Sequence, residues 1–262
     1  MRLKDKVAVV VGGGSGIGKA ISKLFAQEGA QVMLADIDIE AANRVADEIK
    51  AVGGVAATVK VDMTQDKEAQ SMARTTLDRF GRVDILANVA GGSTGKFIRE
   101  KLSPFHRSTK EEWDRIIDVN LTGARNCTRA FVNHMMERGK GRIINFSSMA
   151  GVEGMQNGVD YSAAKAGIVG LTKGLALELA SYGIRVNCIS PAGVATERVK
   201  AFNVKRRELN PDEPPLDKLL AKPEELAAVA LFLASDEVDH ISGETIVVNG
   251  QRFPSFPQPH AP

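Results

Sequence analysis

Seven short apolar runs punctuate the chain, at 7–11, 32–35, 57–61, 83–87, 142–146, 185–189 and 245–248. Each is too short for a helix and too continuous for a strand with one face in water, so each predicts a strand buried on both faces. The stretches between them carry apolar residues at helical spacing, as in Ile17, Ile21, Leu24 and Phe25, or Ile116, Ile117, Val119 and Leu121 after Trp113. Strand alternating with helix predicts an α/β fold, a doubly wound parallel sheet of seven strands with helices on both faces.

Nothing repeats at a solenoid period and no low-complexity linker splits the 262 residues, so one domain spanning 1–262 is expected. Two stretches break the rhythm, 91–110 and the proline-containing 192–222. Long loops inside a compact domain are usually functional, and 192–222 is expected to act as a substrate lid. Residues 253–262 contain four prolines and read as a tail that neither helix nor sheet can absorb.

Composition narrows the function. The chain is 44% apolar and 25% charged, with 34 basic against 32 acidic side chains and a net charge of +2. Such a balance provides no global field for nucleic acid or an anionic membrane, and neither partner is expected. No apolar run approaches the length of a membrane span, and the N-terminal apolar run is cut by glycines before any signal cleavage pattern, so the expected location is the cytoplasm. Cys127 and Cys188 stand far apart and read as reduced core residues, and the four histidines show no metal-ligand spacing, so no metal is expected.

The first strand runs into Gly12-Gly13-Gly14-Ser15-Gly16-Ile17-Gly18, with a helix starting inside the turn. The spacing is G-x-x-x-G-x-G rather than G-x-G-x-x-G, but the physical requirement is similar: a tight turn, close approach to a pyrophosphate, and helix N–H groups facing the anion. Asp36 ends the second strand, where a carboxylate accepts hydrogen bonds from the adenosine ribose hydroxyls. Glycine turn and carboxylate together point to a dinucleotide, and the carboxylate favours NAD over NADP, whose 2′-phosphate it would repel.

Tyr161 and Lys165 open a further helix at i, i+4, on one face. A phenol is a poor base at neutral pH, and a neighbouring ammonium is the expected means of lowering its pKa for proton transfer in alcohol oxidation.

With these residues in their order along the chain, the sequence resembles the short-chain dehydrogenase/reductase family from about Lys6 to Gly250. The motifs are the glycine turn, Asp62 after the third strand, Asn88-Val89-Ala90-Gly91, Asn120, Ser148, Tyr161 with Lys165, and Pro191-Ala192-Gly193-Val194-Ala195-Thr196. The resemblance implies Tyr161 as general acid/base, Lys165 as the residue that depresses its pKa and holds the nicotinamide ribose, Ser148 as the donor orienting the substrate oxygen, and Asn120 as the anchor of a proton-relay water. Ser148, 13 residues before Tyr161, is preferred over Ser147, which is expected to be structural. The implied NAD site comprises Gly12, Ser15, Gly16, Ile17, Gly18, Asp36, Asp62, Met63, Asn88, Ala90, Gly91, Tyr161, Lys165, Pro191, Val194 and Thr196. Val11, Val89 and Ala192 depart from the usual pattern; the first two remove polar contacts beneath the cofactor, and Ala192 would be strained if its backbone required a positive φ.

The function implied is NAD(H)-dependent interconversion of a secondary alcohol and a ketone. An extended-type sugar epimerase or dehydratase shares the Tyr-x-x-x-Lys pair but calls for a larger C-terminal substrate region than follows the sixth strand here; a non-catalytic NAD-binding regulator would not need the Asn120, Ser148, Tyr161 and Lys165 set. The resemblance also implies a homo-oligomer, tetramer or dimer, with the helices carrying Trp113 and Tyr161 against a partner. Finally, Lys96, Arg99, Lys101, Arg107 and Lys110 face only Glu100 in the first irregular stretch, and Arg198, Lys200, Lys205, Arg206 and Arg207 face only Glu197 early in the second. Both follow strand ends, where open parallel sheets bind ligands, so a small anionic substrate or a coenzyme A thioester is weighed against simple solvated charge.

Overall fold

A computed structural model describes residues 1–96, 98, 101–209 and 220–250, with the backbone alone at 202, 203, 205–207 and 209. Its seven strands are β1 (Val7–Val11), β2 (Gln31–Asp36), β3 (Val55–Lys60), β4 (Ile85–Asn88), β5 (Gly141–Phe146), β6 (Ile184–Pro191) and β7 (Thr245–Val248). All pairings are parallel, and the spatial order is β3-β2-β1-β4-β5-β6-β7. The connecting helices are α1 (Gly16–Gln27), α2 (Ile39–Ala51), α3 (Asp66–Phe80), α4 (Lys110–Ile117), α5 (Gly123–Glu137), α6 (Ala150–Glu153), α7 (Val159–Leu179), α8 (Glu197–Leu209) and α9 (Pro223–Ala234).

The continuous apolar character of the strands has its reason in two cores. Ala8 and Val10 of β1 pack with Ile21 and Phe25 of α1, Val45 and Ile49 of α2, and Leu226 and Leu231 of α9. The alternate residues Val9 and Val11 pack on the other face with Met72 of α3, Phe131 and Met135 of α5, and Leu179 of α7. Because side chains alternate across a strand, both parities must be apolar when both faces are covered.

The first three strands build outward from β1, and the chain then returns to place β4 on its other side. This reversal opens a crevice at the carboxyl ends of β1 and β4, where Val11 pairs with both Ala35 and Asn88.

Two local features differ from the pattern reading. The stretch 192–222 is not wholly irregular, since α8 occupies its middle. Its sequence has no apolar stripe, and Val204 is 61% exposed, so hydrophobic periodicity carries no signal there. The helix expected to continue through Val119 and Leu121 widens into a π-turn at Asp118–Thr122, where the Gly123 N–H bonds back to the Asp118 carbonyl. Arg99, the side chains of Lys205, Arg206 and Arg207, residues 210–219 and the tail at 253–262 lie outside the described residues.

Candidate active site

The glycine turn is built by backbone contact. Gly12 adopts φ +82°, and a Cβ there would sit 2.8 Å from the Ala90 Cα. At Gly18 a Cβ would fall 1.9 Å from the Gly12 carbonyl oxygen, so the first turn of α1 lies directly on the loop it leaves. Ser15 is the N-cap without a side-chain cap, and the first turn has no acidic residue. Across the turn, Asp36 accepts the Gly14 N–H on Oδ2 at 2.9 Å and the Asp38 N–H on Oδ1 at 3.0 Å. The carboxylate is therefore held by backbone at the rim of a cavity of about 350 Å³.

That cavity is lined by Gly12, Ser15, Gly16, Ile17, Gly18, Asp36, Asp62, Met63, Ala90, Gly91 and Thr196 among the expected cofactor residues. Its depth past the glycines, and the close approach of backbone at Gly12 and Gly18, suit an extended dinucleotide along the ends of β2, β1 and β4. Asp62 fastens the next loop by accepting the Thr64 N–H at 3.0 Å and its hydroxyl at 2.7 Å, and Met63 packs over Gly123. Thr196 reaches across to Gly16, bringing the segment after β6 onto the glycine turn.

Asn88, Pro191 and Val194 are placed beneath the cavity rather than along it. Asn88 is buried and donates to Thr128 Oγ1 at 3.1 Å and Asn145 Oδ1 at 2.9 Å, tying β4 to α5 and β5. The Pro191 carbonyl accepts the Met149 N–H, and Val194 bridges to Ala221 within the core.

The four residues expected to move protons converge behind Gly91. A Cβ at Gly91 would meet Asn120 Oδ1 at 2.6 Å and Lys165 Nζ at 3.2 Å. Asn120 sits in the π-turn; its Nδ2 donates to the carbonyls of Gly92 at 3.0 Å and Ile116 at 3.1 Å, while Oδ1 accepts the Gly92 N–H at 2.8 Å. Lys165 is 4% exposed and donates to the Phe146 carbonyl at 2.8 Å, its ammonium 5.8 Å from the centre of the Tyr161 ring. The Ser148 hydroxyl accepts the Ala150 N–H at 3.2 Å and stands near enough to the Tyr161 phenol to lower its pKa. Ser147 instead donates to the Lys165 carbonyl at 2.7 Å and is structural.

Burial holds the Tyr161 phenol above its ordinary value, and the groups that offset this are the Ser148 hydroxyl and the guanidinium of Arg198. The Lys165 ammonium donates to the Phe146 carbonyl, and its own burial pushes it down to about 8.

The family model described as enoyl-(acyl carrier protein) reductase matches residues 11–250. The chain belongs to the short-chain dehydrogenase/reductase family. The chain is 38% identical to 3-oxoacyl-[acyl-carrier-protein] reductase FabG of Thermotoga maritima, covering 95% of this chain and 98% of that one. It is 36% identical to the (2S)-[(R)-hydroxy(phenyl)methyl]succinyl-CoA dehydrogenase subunit BbsD of Thauera aromatica, over 96% and 98% of the two chains. Among solved structures, a 7α-hydroxysteroid dehydrogenase complexed with NADH and 7-oxo glycochenodeoxycholic acid superposes with a TM-score of 0.85 at 32% identity, covering 95% of each chain. Like these relatives, the protein is an oxidoreductase of the CH–OH/C=O class.

Two residues of this short-chain dehydrogenase/reductase were hidden from sequence reading. Arg115 lines the cavity from α4, where a basic residue on an amphipathic helix reads as solvated surface. Arg198 was visible only as one of five basic residues in a loop, with nothing to mark it as the one that reaches the cleft. Asn88 ties β4 to β5, and Ala192 is not among the described residues with positive φ, so its side chain brings no strain.

Proposed function

We propose that this protein is an NAD(H)-dependent oxidoreductase that interconverts a secondary alcohol and a ketone, with Tyr161 as general acid/base. The observation that carries the reading is the convergence behind Gly91 of Asn120 and Lys165, with the Tyr161 ring beside the Lys165 ammonium and its phenol within the influence of Ser148. When bound, the nicotinamide ring supplies the hydride acceptor or donor. Tyr161 passes the proton to or from the substrate oxygen, and Ser148 orients that oxygen by hydrogen bonding. Lys165 adds positive charge beside the phenol and is placed to hold the ribose; Asn120 fixes the Gly92 peptide and anchors a relay water.

Preference for NAD over NADP is supported by Asp36, whose carboxylate is fixed at the cavity rim, where a 2′-phosphate of about −2 charge would meet it. The substrate proposed is a small anionic molecule or a coenzyme A thioester, the second in keeping with relatives named for acyl-carrier-protein and succinyl-CoA substrates and the first with the basic residues Lys96, Arg115 and Arg198 that line the cavity. Residues 192–222 are proposed as its lid, supported by the reach of Thr196 and Arg198 over the cleft. A cytoplasmic homo-oligomer, dimer or tetramer, is the proposed state: both cysteines are unpaired and buried, and Leu177 of α7 is 84% exposed. No helix among the described residues is long and apolar enough to cross a membrane.

The test is a spectrophotometric screen of NAD and NADP reduction against secondary alcohols, repeated with Tyr161→Phe and Asp36→Ala. Tyr161→Phe keeps the ring and removes only the hydroxyl; turnover should fall about 10²–10⁴-fold while NADH fluorescence titration is unchanged. Asp36→Ala should narrow the gap between NAD and NADP. Near-normal kcat in a folded Tyr161→Phe protein would remove the assignment.

A further inference from the structure

The end of the cavity away from Asp36 has its own chemistry. Asp36 ends β2 on one side of β1, whereas the segment after β4 lies on the other side, and there the cavity is lined by Lys96, Arg115, Glu197 and Arg198. Arg198 stands in the first turn of α8, and the Nη1–Nη2 end of its guanidinium abuts the loop after β4. A Cβ on Gly92 would meet its Nη1 at 2.7 Å and its Nη2 at 3.1 Å, and one on Gly95 would meet Nη1 at 3.3 Å. Nη1 donates to the Thr94 carbonyl at 2.8 Å, which tethers this end of the group to the loop. The peptide beneath it, Gly92, is the one clamped by Asn120. The guanidinium is thus seated on the same backbone unit that positions the proton-transfer residues, and its charge is felt at the Tyr161 phenol.

We propose that Arg198 is the substrate-selecting residue of this enzyme, binding a carboxylate carried by the alcohol or ketone close to its reacting carbon through the guanidinium that α8 lays on Gly92. The inference rests on the oxidoreductase reading above and names the substrate class within it: a small hydroxy or oxo acid, in preference to a coenzyme A thioester, whose charges lie far from the reacting carbon. The chemistry is specific to arginine. Of the five N–H donors of a guanidinium, one is used by the Thr94 carbonyl, and the remaining edge of Nε and Nη2 is the fork that matches a carboxylate bidentately. The hydrogen bond to Thr94 and the packing on Gly92 hold that fork in place before substrate arrives, so little side-chain freedom is lost on binding. Among the described residues no carboxylate forms a salt bridge with Arg198. Glycine at 92 and 95 is needed for the arrangement, because any side chain at Gly92 would take the space of the guanidinium.

The experiment compares reduction of matched pairs, the 2-, 3- and 4-oxo acids of four to six carbons and their methyl esters, by the full-length protein and its Arg198→Met and Arg198→Lys variants with NADH. The wild type should favour acids over esters by at least about 10-fold in kcat/KM, a preference falling with salt. Arg198→Met should lose about 100-fold on the acids, mostly in KM, and at least about 10-fold less on the esters, whose smaller loss falls in kcat and reads the removal of the charge near the Tyr161 phenol; Arg198→Lys should recover part of the loss on the acids, because it keeps the charge without the fork. NADH affinity, read by fluorescence, should not move in either variant. Equal use of acids and esters by the wild type, an equal loss on both series in Arg198→Met, or a parallel loss of NADH affinity would each overturn the assignment of Arg198 alone. Turnover of acyl-CoA thioesters in place of the free acids would overturn it as well. If the wild type reduces none of these pairs but turns over other alcohols or ketones in the screen described above, this assignment falls and the proposed function stands; failure in both experiments would sink the two together.

Discussion

Asn120 binds both polar groups of Gly92: its Oδ1 accepts the Gly92 N–H at 2.8 Å and its Nδ2 donates to the Gly92 carbonyl at 3.0 Å. A primary amide is the side chain that offers donor and acceptor on one rigid plane, and it satisfies a buried peptide as another peptide would. The π-turn is part of this arrangement, because the same Nδ2 also takes the Ile116 carbonyl four residues back. An element of the helical layer thereby fixes the loop that leaves β4 beside the cofactor cavity.

The first prediction follows from that amide. Asn120→Asp keeps the shape and the acceptor but turns a carboxylate oxygen toward the Gly92 and Ile116 carbonyls, so it should destabilise more than its size suggests. Asn120→Ala should cost about 1–3 kcal/mol for each buried group left without a partner. Urea unfolding measures both, and a decline in kcat exceeding the change in KM is expected in the Ala variant. Wild-type stability and kcat in either protein would refute the positioning role.

The second concerns Gly18. Its missing Cβ is occupied by the Gly12 carbonyl oxygen, so Gly18→Ala cannot be accommodated by side-chain rearrangement and must move α1 off the turn. Overpacking against backbone should cost at least about 1–3 kcal/mol, and NADH binding should be lost before the fold is. Differential scanning calorimetry and NADH fluorescence read the two effects separately. A Gly18→Ala protein that binds NADH normally would show that the turn does not cradle the dinucleotide.

The third is a pH dependence. Burial pushes Lys165 down to about 8 from an ordinary 10.5, so between those values the unfolded chain binds the extra proton and the folded one does not. Lys165 therefore penalises the fold fully below pH 8, and the penalty fades as pH rises toward 10.5. Its size is about 3 kcal/mol. Cys127, pushed up to about 12 by burial, acts in the opposite direction above pH 9, where the unfolded thiol ionises. The stability difference between wild type and Lys165→Met isolates the lysine: it should shift in favour of the wild type from pH 8 to pH 10 in urea melts. A difference independent of pH would mean that Lys165 is not desolvated.

Much of this protein follows from local pattern. Doubly apolar strands follow from helices on both faces, so the parity of Ala8, Val9, Val10 and Val11 already implies two cores. Likewise the spacing of Gly12, Gly16 and Gly18, and the i, i+4 relation of Tyr161 to Lys165, are properties of one turn and one helix, readable from adjacent residues. Tertiary structure decided what depends on contacts between distant segments. The helix α8 leaves no periodic trace, because no stripe of its sequence is apolar and, of its described apolar side chains other than Ala201, Val204 is exposed and Val199 only half-buried. The π-turn is selected by an amide that binds Gly92, 28 residues away. Arg198 is one cation among several until the chain after β6 folds over the loop after β4 and sets its guanidinium on Gly92. The direction of the Tyr161 pKa belongs to the same category: an i, i+4 ammonium suggests a lowered value, but the balance of burial, Ser148 and Arg198 holds the phenol up. Short-range periodicity encodes which elements form, whereas desolvation and charge act through space and are settled only when separate elements meet.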